Sequence, residues 1–329
     1  MFIKPPELFH GQSMQRPFFE GWYHKMSTKN NQTVVVIPGI YRSGENSNET
    51  AFLMFYQGSN GQVDYVPYDV KDFNCNKNSY DLQLGNNFFS LNKVNLNFQN
   101  DRLSVLGEVI SEQLNPWPVS LFEHGCMGWY GYVPTMECFH GILSMNHKTH
   151  GSLKVNGQVM DFNNGCGYIE KDWGKNFPKD WIWAQSNQFH GEKISVSASL
   201  ATIPWRNYEF SGFIIGVLFN EKLYKFTTYN FSKHVKISFE DDKLNWIIRQ
   251  NRVRFKILSD KLNKKYNLRK IPKKSIPNFD TFILFEKNFK IRRKIINVLK
   301  KNSLGTKNLP DAIKWHCSYY WSHAISKQE

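Results

Sequence analysis

Two acids stand two residues apart in the stretch 165–187, GCGYIEKDWGKNFPKDWIWAQSN, namely Glu170 and Asp172. In an extended chain successive side chains alternate, so Tyr168, Glu170 and Asp172 share one face and Ile169, Lys171 and Trp173 the other. A turn marked by Pro178 follows, and Trp181, Trp183, Gln185 and Asn187 then share one face of a second strand. Carboxyls set against aromatic walls are disfavoured in their charged form by desolvation and, when paired, by each other. A carboxyl raised in this way keeps its proton near neutral pH and can serve as a general acid. Glu170 is the candidate acid, being further from the turn than Asp172 and one methylene longer. Asp172, beside Trp173 and Gly174, is expected to stay ionised, and Tyr168 to orient Glu170 by a hydrogen bond. Glu137 and Glu20 are reserve acids. An ordinary pair of strands with a solvated acidic edge fits the same residues.

Two further patches are dense in the same residue types. Phe18–Lys25 reads as a strand with Phe18, Glu20, Trp22 and His24 on one face. In 124–141, HGCMGWYGYVPTMECFHG, Pro134 divides two expected strands, Trp129–Val133 and Met136–Gly141. His124, Cys126, Cys138 and His140 are zinc-ligand types, but the HxC…CxH spacing matches no finger or ribbon, so buried thiols and hydrogen-bonded histidines are expected and no metal.

The elements that must position these residues read as short strands. Asp81–Leu84, Asn87–Leu91, Val94–Phe98 and Leu103–Ile110 recur with turns between them, and Gly151–Asp161 forms a hairpin about Asn156-Gly157. Beyond Asn187 strands recur at about ten-residue spacing to Leu258, which predicts antiparallel sandwiches or barrels. Lys287–Lys301 is a basic amphipathic helix candidate. A chain of 329 residues allows about two domains, placed at 1–178 and 179–329. Aromatics at 16% imply large sheet faces or an apolar cavity. The first twenty residues show no apolar signal region, and five cysteines without framework spacing suit reduced thiols, so a cytoplasmic setting is expected. The net charge of +14 is uneven: residues 249–329 hold 21 basic and 5 acidic side chains, a balance of +16, and the rest of the chain is at −2. That quarter is a candidate for peripheral contact with an anionic membrane. With no interleaved aromatic and basic motif, nucleic acid is not an expected partner.

Assembled, the motifs resemble the tocopherol cyclase family. They are Pro17–Tyr23, Gly128–Gly131, Met136–Gly141, Gly167–Gly174 and Trp181–Asn187, in that order. The family is similar in turn to the lipocalin-like carotenoid 1,2-hydratases. The resemblance implies an all-β chain of two tandem lipocalin-like antiparallel barrels, with the short helix at the C-terminal end. It also implies chemistry that begins by protonating a prenyl double bond of a hydrophobic, prenyl-quinol-like substrate and closes a chromanol-type ring, an intramolecular cyclase of the isomerase class. No cofactor is needed for that chemistry. Trp22, Trp129, Trp181 and Trp183 are expected to line one apolar pocket, and Glu20, Tyr130, His140, Gln185 and Asn187 of the same motifs to contact substrate. A non-catalytic lipocalin-like carrier of a hydrophobic small molecule is the alternative, since fold does not fix function.

Overall fold

The computed structural model describes residues 4–12, 14, 16–43, 49–59, 61–178, 181–189, 194–205, 208–240, 243–250, 253–258, 283–287 and 315–322. They divide between two compact units, one ending at Lys179 and one beginning at Asp180.

The first unit carries β1 (Phe18–Ser27), β2 (Thr33–Arg42), β3 (Glu49–Gln57), β4 (Gln62–Tyr68), β5 (Phe73–Cys75) and β6 (Asp81–Leu84). It continues with β7 (Asn87–Ser90), β8 (Lys93–Gln99), β9 (Ser104–Glu112), β10 (Cys138–Val155), β11 (Gln158–Asp161) and β12 (Gly165–Gly174). These make one antiparallel sheet in the order β4-β3-β2-β1-β12-β10-β9-β8-β7-β6-β5, with β11 paired to β10. The antiparallel β expectation therefore holds. The ring closure of a barrel does not: the order is an open path ending at β4 and β5 among the described residues. Its ends suit edges, because β4 contains Pro67, which lacks an amide donor, and β5 has three residues.

Pairing register decides which side chains share a face. Glu20 lies opposite Trp173, Trp22 opposite Lys171 and His24 opposite Ile169. These face the core, where Trp22, Met26, Val34, Val36, Ile40, Leu53, Phe55, Phe89 and Ile169 are buried together. The alternate set, Gly21 opposite Asp172 and Tyr23 opposite Glu170, lies on the other face. β10 then sets His140 opposite Asp172 and Ile142 opposite Glu170, with register shifts at Ile142/Ser144 and Ser144/His147. Such bulges bend a long strand, and β10 runs for 18 residues.

Between β9 and β10 the expected strand Trp129–Val133 is absent. Gly125–Tyr132 forms 3₁₀ turns instead. Gly125 and Gly128 adopt φ of 58°, which interrupts the pleat that a strand requires.

The second unit has β13 (Trp181–Phe189), β14 (Ile194–Trp205), β15 (Tyr208–Phe219), β16 (Lys222–Thr227), β17 (Lys233–Glu240), β18 (Lys243–Gln250), β19 (Val253–Leu258), β20 (Ile283–Lys287) and β21 (Trp315–Ser322). Its sheets run β16-β15-β14-β13-β21-β20 and β17-β18-β19. The C-terminal stretch at Trp315, to which the motifs give no place, is thus a strand paired with β13. Of the helix expected at Lys287–Lys301, Lys287 ends β20, and the remainder lies outside the described residues. No helix among the described residues is long and apolar enough to cross a membrane.

Candidate functional site

Strand alternation and the β10–β12 register gather Tyr168, Glu170, Asp172 and His140 on one face of the first unit's sheet. Tyr168 is fully buried and its hydroxyl donates to Glu170 Oε2 at 2.5 Å. Glu170 is 5% exposed. His140 Nδ1 lies 2.8 Å from Asp172 Oδ1, and its Nε2 lies 3.7 Å from Glu170 Oε2. That Nε2 is buried and has no hydrogen-bond partner among the described residues. Burial pulls the His140 pKa down, but the Asp172 charge and hydrogen bond, with Glu170 adding its charge, carry it up to about 9. His140 is therefore an imidazolium at neutral pH. Its Nδ1–H donates to Asp172 and its Nε2–H points toward Glu170.

Burial pushes the two thiols beside this group, Cys126 and Cys138, well above their ordinary value. Cys126 Sγ donates to the His140 carbonyl at 3.1 Å, tying the 3₁₀ segment to the strand that bears the imidazole. Gly174 closes β12 at φ 150°, where a Cβ would stand 2.1 Å from the Glu137 carbonyl oxygen. Only glycine permits that approach, which holds the start of β10 against the end of β12.

Glu20, by contrast, belongs to the core face and is completely buried in a second charged cluster. Its carboxylate accepts the backbone N–H groups of His10 and Gly11 at 2.9 Å and pairs with the Lys171 ammonium. Burial pushes the Glu20 carboxyl up, yet Lys171 and His10 hold it below the usual range. Lys171 also donates to the Leu8 carbonyl and to His10 Nδ1, and lies 4.6 Å from the Trp22 ring centroid and 4.9 Å from that of Trp173. Burial brings Lys171 down to about 8, with Glu20 opposing the fall. His10, stacked on Trp173 at 4.4 Å, is brought down to about 4 chiefly by burial. Its ring is neutral, so Nδ1 accepts from Lys171 rather than forming an ion pair with Glu20. The cluster pins residues 8–11 onto the sheet.

The sequence-predicted residues thus separate. Tyr168, Glu170, Asp172 and His140 come together. Glu20 and Trp22 lie on the opposite face, with Trp22 in the core between Tyr80 and Phe73. Glu137 is exposed at the start of β10. Trp129 is 47% exposed and stacks on Tyr130, with ring centroids 3.9 Å apart. Trp181, Trp183, Gln185 and Asn187 alternate along β13 of the second unit, where the last three are buried. The sequence reading assigned no role to Lys171 or His10. An unpaired lysine inside an otherwise apolar face was the visible signal for the first.

The tocopherol cyclase-like family model matches residues 113–270, a span that contains Tyr168, Glu170, Asp172 and His140 but neither Glu20 nor Trp22. A probable chloroplastic tocopherol cyclase of Oryza sativa subsp. japonica is 29% identical over 103 residues, 30% of this chain and 22% of that protein. The chloroplastic tocopherol cyclase of Zea mays is 23% identical over 246 residues, covering 60% of this chain and 52% of that one. The chain spans about half or less of the length of these curated relatives. The crystal structure of CghA shares the fold, with a TM-score of 0.58 at 9% identity over 98% of this chain and 93% of that one. From 113 to 270, where Tyr168, Glu170, Asp172 and His140 all lie, this chain resembles the tocopherol cyclase family.

Proposed function

We propose that this chain is a tocopherol cyclase-like enzyme that protonates a prenyl double bond of a hydrophobic, prenyl-quinol-like substrate and closes a chromanol-type ring. The observation that carries the reading is the Asp172–His140–Glu170–Tyr168 arrangement, which holds a proton beside the buried Glu170 carboxyl. Glu170 is the acid that meets the alkene once it has taken the His140 Nε2 proton, since a carboxylic acid is a stronger proton source than an imidazolium held near 9. His140 returns a proton to Glu170 through Nε2, Asp172 fixes the imidazole by its Nδ1, and Tyr168 orients the Glu170 carboxyl. In the reaction the Glu170 proton adds to one alkene carbon and leaves a tertiary cation on the other. The phenol oxygen of the same molecule bonds to that cation, and the phenolic proton goes to the His140 Nε2 that supplied Glu170. Atoms and charge balance without an added reagent, so the product is an isomer of the substrate.

The tandem lipocalin-like arrangement of two β units belongs to the same reading, as do substrate contacts from Trp129, Tyr130, Trp181, Trp183, Gln185 and Asn187. A fold of this kind can equally hold a ligand without transforming it, and the chemical test separates the two. The chain is incubated with a prenylated hydroquinone in heavy water. Ring closure by protonation leaves one non-exchangeable deuterium in each product molecule, read by mass spectrometry. Glu170→Gln is expected to lower that rate about 10²–10⁴-fold while leaving substrate affinity nearly unchanged. Saturable binding of the hydroquinone with no deuterated isomer in the wild type would overturn the enzymatic reading in favour of a carrier.

A further inference from the structure

We propose that the Leu121–Phe122 turn of the first unit is a preformed tip that inserts into the surface of a lipid bilayer. Leu121 and Phe122 are 69% and 88% exposed, and Val119 and Trp129 on the same connection are 43% and 47% exposed. Single exposed hydrophobes are ordinary. Two large ones side by side at the end of a braced turn are not, because nothing in folding favours holding them in water.

The bracing is explicit. Ser120 and Glu123 exchange backbone hydrogen bonds, Ser120 N to Glu123 O at 2.8 Å and Glu123 N to Ser120 O at 3.2 Å. Leu121 and Phe122 are thereby the two residues at the apex. The Tyr132 hydroxyl donates to the Leu121 carbonyl at 2.8 Å and to that of Ser120 at 3.2 Å. The Ser120, Leu121 and Glu123 carbonyls accept bonds from the protein, while the Leu121 and Phe122 amides at the apex donate none among the described residues, which suits side-chain insertion with the backbone kept at headgroup level.

Charge points to the same occupant. From residue 113 to residue 136 there is no lysine or arginine, and Glu123 is the one carboxylate. That carboxylate is turned inward, where Oε1 accepts from Nε1 of the buried Trp117 at 3.3 Å. His124 is pushed down by burial and is neutral. A segment so empty of cations does not fit an anionic polymer or an acidic protein face. Leucine and phenylalanine leading, with tryptophan and tyrosine behind them, is instead the order in which side chains meet a bilayer, apolar groups in the acyl region and amphipathic rings at the headgroups.

The tip is carried by these residues alone and does not depend on the chemistry assigned to Glu170. The same connection does reach the acid cluster, through the Cys126 Sγ bond to the His140 carbonyl. A substrate dissolved in lipid would then be met by a loop joined to the strand that bears His140.

The test is flotation of the full chain with neutral phosphatidylcholine vesicles at about 0.5 M salt, which screens surface charge beyond a few ångströms. The wild type is expected to float with the vesicles, and L121S/F122S to partition at least about tenfold less. Both side chains are exposed, so the double variant should keep the wild-type melting temperature and circular dichroism. Glu170→Gln should float like the wild type, which separates a failure of docking from a failure of the proposed chemistry. The proposal is overturned if the wild type stays in solution, or if L121S/F122S floats equally well. It is also overturned if flotation needs anionic lipid and vanishes in salt, which would assign binding to the basic C-terminal quarter. A change from dimer to monomer in L121S/F122S by light scattering would show that a second copy covers the tip, and would equally end it.

Discussion

The charge state of His140 can be measured without knowing the substrate. In the folded protein its pKa is about 9 against 6.5 for the free side chain, a preference for the imidazolium of about 3 kcal/mol. The folded state binds this proton more tightly than the unfolded chain. The stabilisation is therefore complete below pH 6.5 and is lost as pH rises through about 9. Lys171 works the other way: its folded value of about 8 lies below 10.5, so it contributes increasing stability above pH 8. The two groups overlap between pH 8 and 9, and a bare stability curve would mix them. Asp172→Asn separates them, because it removes the principal charge that raises His140, leaving at most a neutral acceptor for Nδ1–H, and leaves Lys171 on the other face untouched. With Asp172 neutral, burial dominates and His140 should titrate below 6.5. Proton–nitrogen spectra of the imidazole ring give the titration directly, and urea unfolding at pH 6 and pH 9.5 gives the energy. The difference in stability between wild type and Asp172→Asn should shrink by about 3 kcal/mol from the lower pH to the higher. A wild-type His140 that titrates at or below 6.5, or a pKa unchanged in Asp172→Asn, would refute the assignment of the proton to this imidazole.

Other outcomes follow from the same geometry. Turnover of a prenylated hydroquinone should fall on the alkaline side with an apparent pKa near 9, and a flat profile to pH 10 would remove His140 from the proton path. Glu20→Gln should destabilise the fold by about 3–5 kcal/mol, since it breaks the buried pair with Lys171 and removes the charge that holds the ammonium up, while turnover per folded molecule stays at the wild-type value. Thermal unfolding and an active-site titration together check it. Tyr168→Phe removes the donor to Glu170 Oε2 and should cost about 1–3 kcal/mol in stability with a loss of turnover; equal turnover would show that Tyr168 only packs. Glu137→Gln, at an exposed position, should turn over like the wild type, and a dead variant would move the acid to another motif.

Much of this was legible because strand alternation depends only on local residue order. Tyr168, Glu170 and Asp172 share a face, and the strands at Phe18, Ala51 and Asp81 run close to where their residue patterns place them. Asn156 and Gly157 do form a positive-φ turn, at 48° and 85°. What sequence order cannot supply is register between strands distant in the chain. Glu20 and Glu170 look alike on paper, each an acid two residues from an aromatic. Pairing Trp22 with Lys171 rather than with a neighbour one step along puts them on opposite faces, since a slip of one residue exchanges the two sides of a strand. His140 was visible only as a histidine in a cysteine-rich patch. Its partner Asp172 lies 32 residues away, joined by a pairing that two bulges offset. The aromatics of Trp129–Val133 suit a strand, but Trp129–Tyr132 continues the 3₁₀ segment that begins at Gly125, and the positive φ of Gly128 just before them is not written in the residue pattern.

The two charged clusters have opposite electrostatic characters, and that difference argues for their roles. On the core face Glu20 meets its opposite charge and two backbone amides, so the carboxylate is satisfied at both oxygens. A carboxylate so completely held gains nothing by taking up a proton, and it anchors residues 8–11. On the other face the imidazolium is satisfied at Nδ1 and left without a hydrogen bond at Nε2, 3.7 Å from a carboxyl that a tyrosine holds in place. Buried polar atoms left short of a partner are costly, and proteins keep them where a reaction or a ligand completes the set. The incomplete contact, not the number of acids, marks the Glu170 face as the one where a proton can move. Shortening His140 Nε2–Glu170 by under 1 Å would bring it within hydrogen-bonding range. A substrate that closes this gap would tighten the cluster around the proton it is about to receive. His140→Gln, which can keep a donor near Asp172 but cannot carry a proton, should therefore fold normally, bind the hydroquinone and lose turnover as fully as Glu170→Gln. Turnover retained in His140→Gln would mean that Glu170 draws its proton from solvent instead.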